Sequence, residues 1–312
     1  MKTAFIFPGQ GSQTVGMGKY FFDNFTEAKH VFLEVDNTLN QKLSHIIFEG
    51  PIEDLTLTEN TQPALMACSI AMLKVIEKLS GKNINQLCQF VAGHSLGEFT
   101  ALAATNSFDI STAAKLLKLR GQAMQEAVPK GEGAMFALLG ADINIAQEIA
   151  KQISSQGDIC EVANDNSQQQ QVLSGNVKGI DSAIELAKKK GFKAIKLKVS
   201  APFHSSLMIP AQKKLALALD KIEISEPSVP VIANVNAEIE EKTQIKENLI
   251  KQTTSTVLWC ESMQKLKQLG VKNFFEIGPG NVCANLCKRI DKESSADTLN
   301  TIENINNFIN AL

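Results

Sequence analysis

Short apolar runs alternate with longer amphipathic stretches in the first part of the chain. The runs Ala4–Phe7 and Phe90–Ala92 have the length of buried strands. The stretches between and after them repeat apolar residues at helical spacing, which predicts helices over Phe25–Leu39, Pro63–Leu79 and Ser111–Ala127. Because strands alternate with helices, this part of the chain predicts a mostly parallel sheet covered by helices.

The middle of the chain has a different order of elements. It predicts the order β-α-β-β-α-β over Gly133–Leu139, Asn144–Ile153, Ile159–Ala163, Gln171–Ser174, Ile180–Lys189 and Phe192–Val199. This is the ferredoxin-like order, which closes a compact sheet by itself. We therefore expect residues 131–199 to form a small inserted subdomain, while residues 1–130 and 200–312 form one large α/β domain.

The last part of the chain returns to the pattern of the first. Its predicted elements are a helix over Gln212–Leu219, a strand over Val229–Asn234, a helix over Trp259–Leu269 and a strand over Asn273–Ile277. The glycine-containing turn Gly278–Gly280 follows that strand, and a last pair of helices ends the chain. We expect these elements to extend the sheet of the large domain.

Composition and charge exclude several classes of protein. The 312 residues can bury a sizeable core, and 44% hydrophobic with 21% charged residues is typical of a globular protein. A net charge of -2 argues against non-specific binding to nucleic acid. No apolar run has the length that spans a membrane, and Met1–Pro8 is too short and too soon broken for a signal peptide. The six scattered cysteines fit neither a zinc site nor a disulfide framework, so we expect a cytoplasmic protein.

The segment Gly93–Gly97, Gly-His-Ser-Leu-Gly, carries the clearest chemical signal. A Gly-x-Ser-x-Gly between a strand and a helix is typical of a nucleophile elbow, whose tight turn exposes the serine hydroxyl. Ser95 would also lie at a helix N-terminus, where free N–H groups favour developing negative charge. The alternative is a capping box formed by Ser95 and Glu98, which needs no chemistry. A capping box requires neither glycine, so the pattern favours the nucleophile.

A serine nucleophile needs a base, and the chain has four histidines. His30 and His45 lie in helical stretches, where a surface or packing role is expected. His94 adjoins the serine in an extended segment, so its side chain points away from that of Ser95 and supports the elbow. His204 remains, beside a proline and a phenylalanine just past the inserted subdomain. No acidic residue stands out as its partner, so a backbone carbonyl is an alternative for orienting it.

Arg120 is an unusual residue on an apolar helix face. It shares that face with Leu116, Leu117, Ala123 and Met124, which lie three or four positions away. Burying a guanidinium without an anionic partner is costly. The partner is either a carboxylate of the protein or a carboxylate of the substrate, which the planar fork of arginine would hold with two hydrogen bonds.

With these residues identified, the whole chain resembles the malonyl-CoA:acyl carrier protein transacylases of type II fatty acid synthesis. The matching segments are Phe7–Gln13, Thr61–Leu65, Gly93–Glu98, Arg120–Gly121, Met124–Pro129, Pro202–His204 and Glu276–Gly280. The resemblance implies a hydrolase-like α/β domain with a ferredoxin-like insertion. It implies transfer of a malonyl group from malonyl-CoA to the phosphopantetheine thiol of acyl carrier protein, in two steps through a malonyl-serine ester.

The resemblance also implies roles for individual residues. Ser95 is the nucleophile, His204 is its base, and the main-chain carbonyl of Gln252 orients the histidine. Arg120 binds the malonyl carboxylate, so we expect Arg120→Ala to shift preference toward acetyl-CoA by on the order of 1–3 kcal/mol or more.

Two backbone N–H groups, those of Gln10 and Leu96, form the oxyanion hole that the resemblance implies. It further implies no metal and no redox cofactor, and we expect a monomer. The lysines between Lys188 and Lys198 are a solvated face or a docking surface for the acidic carrier.

The sequence departs from the family pattern at two places. Gln168 and Gln169 stand where the family often has a Pro-Gly turn, and Thr256 stands where it often has proline. Both changes concern connecting loops. Three alternatives remain open: an esterase or thioesterase with the same elbow, an acyltransferase that loads methylmalonyl groups, and an inactive carrier-binding module. Phe203 before His204 resembles the malonyl-selective form, and the intact set of site residues argues against the inactive module.

Overall fold

The computed structural model describes residues 2–199 and 201–312. Its strands, in chain order, are β1 (Lys2–Phe7), β2 (Phe90–Gly93), β3 (Gly133–Leu139), β4 (Cys160–Ser167), β5 (Gln170–Asn176), β6 (Lys193–Lys196), β7 (Val231–Ile232), β8 (Val271–Glu276) and β9 (Ser295–Thr298). Its helices are α1 (Lys19–Asn24), α2 (Thr26–Leu39), α3 (Leu43–Glu49), α4 (Ile52–Thr56), α5 (Thr58–Ser80), α6 (Ile84–Leu87), α7 (Leu96–Ala104), α8 (Ile110–Glu126), α9 (Ile143–Ser154), α10 (Val177–Lys189), α11 (Ile209–Asp220), α12 (Ile245–Gln252), α13 (Trp259–Gln268), α14 (Val282–Ile290) and α15 (Ile302–Asn310).

The strands form two separate sheets. The large sheet has the order β7-β2-β1-β8-β9, and its neighbouring strands run parallel. The small sheet has the order β4-β5-β3-β6, and its neighbours run antiparallel. With α9 and α10, the small sheet has the ferredoxin-like arrangement expected from the sequence. The predicted fold class, a parallel α/β sheet with a ferredoxin-like insertion, is therefore confirmed.

Both faces of the large sheet are buried, which explains the continuous apolar runs in its strands. Phe5 and Phe7 of β1 point into one hydrophobic cluster with α5, while Ala4 and Ile6 point into a second cluster with Trp259. Successive side chains of a strand lie on opposite faces, so a strand covered on both sides must be apolar throughout.

The small sheet has its own apolar cluster, which it shares with α9 and α10. Its other face packs through Met135 and Ala163 against Met124 near the end of α8. We propose on this basis that residues 131–199 form the small subdomain, and that residues 1–130 and 200–312 form the large domain. The contact with α8 then places the seam between the two beside Arg120.

Several predicted elements differ from the structure. The helix predicted from Pro63 begins at Thr58, because a proline near the first turn removes only one helical hydrogen bond. The strand predicted over Val229–Asn234 shrinks to β7, since Pro230 has no N–H to donate. The link between the last two helices contains β9, a polar edge strand that shows no apolar run. Among the described residues, no helix combines the length and the apolar character that a membrane crossing requires.

Candidate active site

Ser95 occupies the sharp turn between β2 and α7. Its backbone has φ 55° and ψ -108°, a conformation that side-chain-bearing residues seldom adopt. The Ser95 N–H donates to Asn234 Oδ1 at 2.8 Å, and Asn234 Nδ2 donates to the Gly93 carbonyl at 2.8 Å. The strained turn is therefore held by a side chain from the segment that follows β7.

The two glycines of the elbow are required by close backbone packing. A Cβ on Gly93 would lie 1.8 Å from the Gly97 carbonyl oxygen, and a Cβ on Gly97 would lie 2.4 Å from the Phe7 carbonyl oxygen. No side chain fits at either position. The capping-box alternative is wrong, because the Ser95 side chain makes no cap hydrogen bond and Glu98 bonds elsewhere.

His204 lies within hydrogen-bonding distance of the serine. Its Nε2 is 2.8 Å from Ser95 Oγ, and its Nδ1 is 2.8 Å from the Gln252 carbonyl oxygen. Because a carbonyl only accepts, Nδ1 carries the proton and Nε2 is left to accept from the hydroxyl. Burial, followed by the positive charge of Arg120, lowers the pKa of His204 to about 3. The imidazole is therefore neutral and has the tautomer of a general base.

The other histidines do not reach Ser95. His30 and His45 are exposed on α2 and α3. His94 Nε2 lies 2.9 Å from Asn166 Oδ1, and its ring lies 5.4 Å from that of Trp259 between centroids. Its position agrees with the expected support of the elbow.

Arg120 is almost fully buried and points its guanidinium at the serine. Its Nη1 donates to Gln62 Oε1 at 2.8 Å, and its Nη2 donates to Gln252 Oε1 at 2.8 Å and to Ser95 Oγ at 3.1 Å. Burial lowers the pKa of Arg120 to about 10, which still leaves it positively charged at neutral pH. Among the described residues its Nε has no acceptor and no carboxylate forms an ion pair with it. One donor of the buried guanidinium therefore has no acceptor within the described residues.

Gly121 allows Arg120 to approach α5. A Cβ at Gly121 would lie 2.5 Å from Glu59 Cα and 2.6 Å from the Thr58 carbonyl oxygen, so α8 packs with its backbone against the start of α5. Gln62, one turn further along α5, then meets the arginine. Gly121 therefore permits the close helix packing that brings Arg120 into contact with Gln62.

Gln252 connects the members of the site. It is the last residue of α12, where helix carbonyls have no partner within the helix, and its free carbonyl accepts from His204. Its side chain is fully buried, and its Nε2 donates to the Ser95 carbonyl at 2.9 Å and to Glu98 Oε2 at 2.6 Å. One residue therefore contacts the serine, the histidine and the arginine.

Gln10 and Leu96 line the same cavity as the serine, as expected of an oxyanion hole. Among the described residues, neither backbone N–H has an acceptor in the protein. The cavity has a volume of about 280 Å³. Its walls include Gln10, Gln62, Ser95, Leu96, Arg120, Met124, Met135, Asn164, Leu197, Lys198, Phe203 and His204. Both the large domain and the proposed small subdomain contribute to these walls.

Sequence reasoning missed Gln62, Asn234 and Glu98 as members of the network. Gln62 lies in a segment that matches the family, which was the available signal. Asn234 follows a strand of the parallel sheet at its carboxyl end, the edge where α/β proteins place their sites. For Glu98, the sequence indicates only a possible partner in a helix cap.

The lysines between Lys188 and Lys198 are partly neutralised. Lys188, Lys190 and Lys196 form ion pairs with Glu185, Glu148 and Asp181 respectively. Lys198 instead lines the cavity and a neighbouring hollow that also contains Lys130. Three lysines of this run therefore have an ion-pair partner within residues 131–199.

The two departures from the family pattern lie outside the reacting groups. Gln168 and Gln169 form the two-residue turn between β4 and β5. Thr256 Oγ1 donates to the Val162 carbonyl at 2.6 Å, and the next residue, Val257, forms backbone hydrogen bonds with Ala163 and Asp165. The threonine therefore fastens the segment before α13 to the small sheet.

The family model, a sequence relative and the solved structures compared with this chain all carry names of acyl or malonyl transferases. The model of the acyl transferase domain family matches residues 4–304. Malonyl CoA-acyl carrier protein transacylase of Bacillus subtilis (strain 168) is 46% identical over 313 residues, covering 100% of this chain and 97% of that protein. The crystal structure of acyl-carrier-protein-S-malonyltransferase from Bartonella henselae has a TM-score of 0.97 and 46% identity, covering 100% and 99% of the two chains. A malonyl-transacylase in complex with its type II PKS acyl-carrier protein has a TM-score of 0.96 and 37% identity, with 100% of both chains covered.

Proposed function

Because this chain belongs to the acyl transferase domain family, we propose that it transfers the malonyl group of malonyl-CoA to an acyl carrier protein in fatty acid biosynthesis. The acceptor is the thiol of the carrier's phosphopantetheine arm. The names of the relatives described above include malonyl transfer and acyl carrier protein. One observation of this chain supports the proposal most directly: the Ser95 hydroxyl lies between His204 Nε2 and Arg120 Nη2.

In the first half of the reaction, His204 Nε2 takes the hydroxyl proton while Ser95 Oγ attacks the thioester carbonyl. The new C–O bond places negative charge on the former carbonyl oxygen, which accepts from the Gln10 and Leu96 N–H groups. The C–S bond then breaks, and the departing coenzyme A sulfur takes the proton from His204. The product is a malonyl ester on Ser95.

In the second half, the carrier's thiol gives its proton to His204 Nε2 and attacks the ester carbonyl. The same two N–H groups stabilise the second oxyanion. The C–O bond breaks, and Ser95 Oγ regains the proton from His204. The steps move protons and one acyl group only, so we propose that no metal or redox cofactor takes part.

Arg120 selects the acyl group in this proposal. The far carboxylate of a malonyl group on Ser95 is within reach of the guanidinium, because Nη2 lies 3.1 Å from Oγ. Acetyl groups lack this carboxylate and leave the buried Nε–H without an acceptor.

The remaining parts of the proposal concern the setting of the reaction. We propose that the carrier approaches at the cavity mouth beside Lys198, since it must deliver its arm to Ser95. The protein would act as a monomer, which size-exclusion chromatography with light scattering tests. A cytoplasmic location is consistent with the buried, unpaired state of the six cysteines, which fractionation of the source cells tests.

Intact-protein mass spectrometry after brief exposure to malonyl-CoA tests the mechanism. We expect an added malonyl group that peptide mapping places on Ser95. The variant Ser95→Ala should remain unlabelled, whereas Ser155→Ala, which alters an exposed serine after α9, should be labelled normally. Persistent ester labelling of Ser95→Ala would refute the assignment.

A second measurement separates transfer from hydrolysis. Malonyl-carrier formation and free malonate release are followed in one assay with excess carrier. The transferase predicts that most malonyl groups reach the carrier, whereas an esterase or thioesterase predicts that they reach water.

A further inference from the structure

Two glutamates touch each other directly beneath the site. Glu98, in the first turn of α7, is fully buried, and Glu240, between β7 and α12, is 4% exposed. Their carboxyl groups lie within hydrogen-bonding reach of each other, so they can bond when one of them is protonated. Two negative charges in contact without water repel strongly, so this arrangement needs an explanation.

The acceptors and donors around the pair define its protonation. Glu98 Oε2 accepts from Gln252 Nε2 at 2.6 Å and from the Asn234 N–H at 3.3 Å. Glu240 Oε2 accepts from Asn248 Nδ2 at 2.8 Å. In the described part of the chain, the Oε1 atom of each glutamate has no donor. A single proton between the two carboxyl groups satisfies both oxygens, whereas two carboxylates satisfy neither.

The charges nearby agree with one proton. Burial, followed by the charge of the other glutamate, raises the pKa of Glu98, and burial raises the pKa of Glu240. A hydrogen bond between them raises the pKa of Glu98 and lowers that of Glu240, which alone would place the proton on Glu98. The donors oppose this, because Glu98 Oε2 accepts two hydrogen bonds and Glu240 Oε2 accepts one, and we therefore assign the negative charge to Glu98. The cation that acts on Glu98 is Arg120, through the Gln252 amide that accepts from the arginine and donates to the glutamate. His204 bonds to Ser95 and Gln252, and His94 bonds to Asn166. One remaining negative charge therefore balances one buried positive charge.

We propose that Glu98 and Glu240 share one proton and that the negative charge kept on Glu98 positions Gln252 for the transfer reaction. Glu98 is then a positioning residue, since it acts through Gln252. The charge holds the Gln252 amide with its nitrogen toward Glu98 and its oxygen toward Arg120. The same residue presents its backbone carbonyl to His204, so its orientation affects both the base and the cation. The proposal rests on the transfer function proposed above.

Two isosteric variants move the charge in opposite ways. In Glu240→Gln, the new amide donates to Glu98, and the negative charge stays on Glu98, to which Gln252 donates. In Glu98→Gln, the new amide donates to Glu240, and the charge moves one residue away from Gln252. We expect kcat/KM for malonyl-CoA to fall roughly tenfold or more in Glu98→Gln, the scale of one hydrogen bond to a charged group. We expect a smaller fall in Glu240→Gln.

A matched control and readouts besides activity distinguish positioning from damage. Glu276→Gln removes an equally buried carboxyl outside the site, so it should leave the pH profile of kcat unchanged, whereas Glu98→Gln should displace it. Because Glu276 has a pKa of about 7 and gives an acid band of its own, the infrared comparison is made in the Glu276→Gln background. At neutral pH this background should show the carbonyl band of a protonated acid that the added Glu240→Gln substitution removes. Glu240→Gln should also lose less unfolding free energy than the wild type as the pH rises above the ordinary pKa of glutamate, because it has no shared proton to release.

Several results would overturn the inference. Equal losses of kcat/KM in both variants, or unchanged activity and pH profile in a folded Glu98→Gln protein, contradict the positioning role. Absence of the acid band contradicts the shared proton. If the wild type forms no malonyl ester on Ser95, the proposed function fails, while the infrared and unfolding measurements still decide the protonation of the pair.

Discussion

Replacing Arg120 tests the selectivity mechanism most sharply. The guanidinium makes three hydrogen bonds within the protein and keeps its Nε–H without an acceptor among the described residues. A bound malonyl carboxylate can take this N–H and one further N–H as a bidentate pair. Arg120→Ala removes both bonds, and each bond to a charged group contributes about 1.5–3 kcal/mol.

The two lost bonds correspond to roughly 3–6 kcal/mol, or about 10²- to 10⁴-fold in kcat/KM for malonyl-CoA. Acetyl-CoA makes no such bonds, so its kcat/KM should stay the same or rise. Arg120→Lys keeps the charge but lacks the planar fork, and should lie between the wild type and Arg120→Ala. The assay compares acyl transfer to carrier protein from malonyl-CoA and from acetyl-CoA, at equal enzyme concentration.

Arg289→Ala is the matched control, because Arg289 is the other arginine of the chain and is exposed, donating to Gln170 on β5. It should keep the ratio of malonyl to acetyl activity. The acetyl activity of Arg120→Ala reports whether the variant still folds around Ser95. An unchanged malonyl-to-acetyl ratio in folded Arg120→Ala would show that the arginine is purely structural.

Four further predictions follow from the same geometry. In Arg120→Gln, acetyl transfer should lose activity at a higher pH on the acidic side than in the wild type, because removing the cation raises the pKa of His204 from about 3. Burial raises the pKa of Glu276 from 4.5 to about 7, so the free energy of unfolding falls as the pH rises from 4.5 through about 7. Urea unfolding of Glu276→Gln should lack about 3 kcal/mol of this fall with pH. Gly121→Ala should destabilise the protein by about 1–3 kcal/mol and lower malonyl transfer, since its Cβ would lie 2.5 Å from the backbone of α5. Lys198→Glu should raise KM for the carrier and weaken the salt dependence of that KM, and equal salt slopes in the two proteins would argue against carrier contact there.

Local geometry explains which parts of the site can be predicted from the sequence. The elbow could be predicted because its turn depends on neighbouring residues, and Gly93 and Gly97 are required by contacts within a few residues or with β1. The burial of Arg120 could be predicted from one helix face. His204 was reached by elimination among four histidines, without any pattern that placed it near Ser95.

The rest of the network depends on contacts between distant segments. Gln252 contributes a backbone carbonyl at the end of α12, an eight-residue helix too short to show a clear period. Asn234 acquires its role only when the segment after β7 meets the elbow, and Gln62 acquires its role only when α5 meets Arg120 on α8. Family resemblance supplied the Gln252 carbonyl, but the orientation of its side chain between Arg120 and Glu98 depends on coordinates.

The arginine links substrate choice to the strength of the base. The charge of Arg120 adds to burial in lowering the pKa of His204, so the imidazole accepts a proton poorly. In the proposed reaction, a malonyl carboxylate on the guanidinium would cancel that charge and restore part of the basicity at the moment when Ser95 must lose its proton. An acetyl group leaves the cation uncompensated and the base weak. The same contact therefore improves binding of the three-carbon substrate and lowers its barrier, which is an interaction that favours the transition state over the ground state.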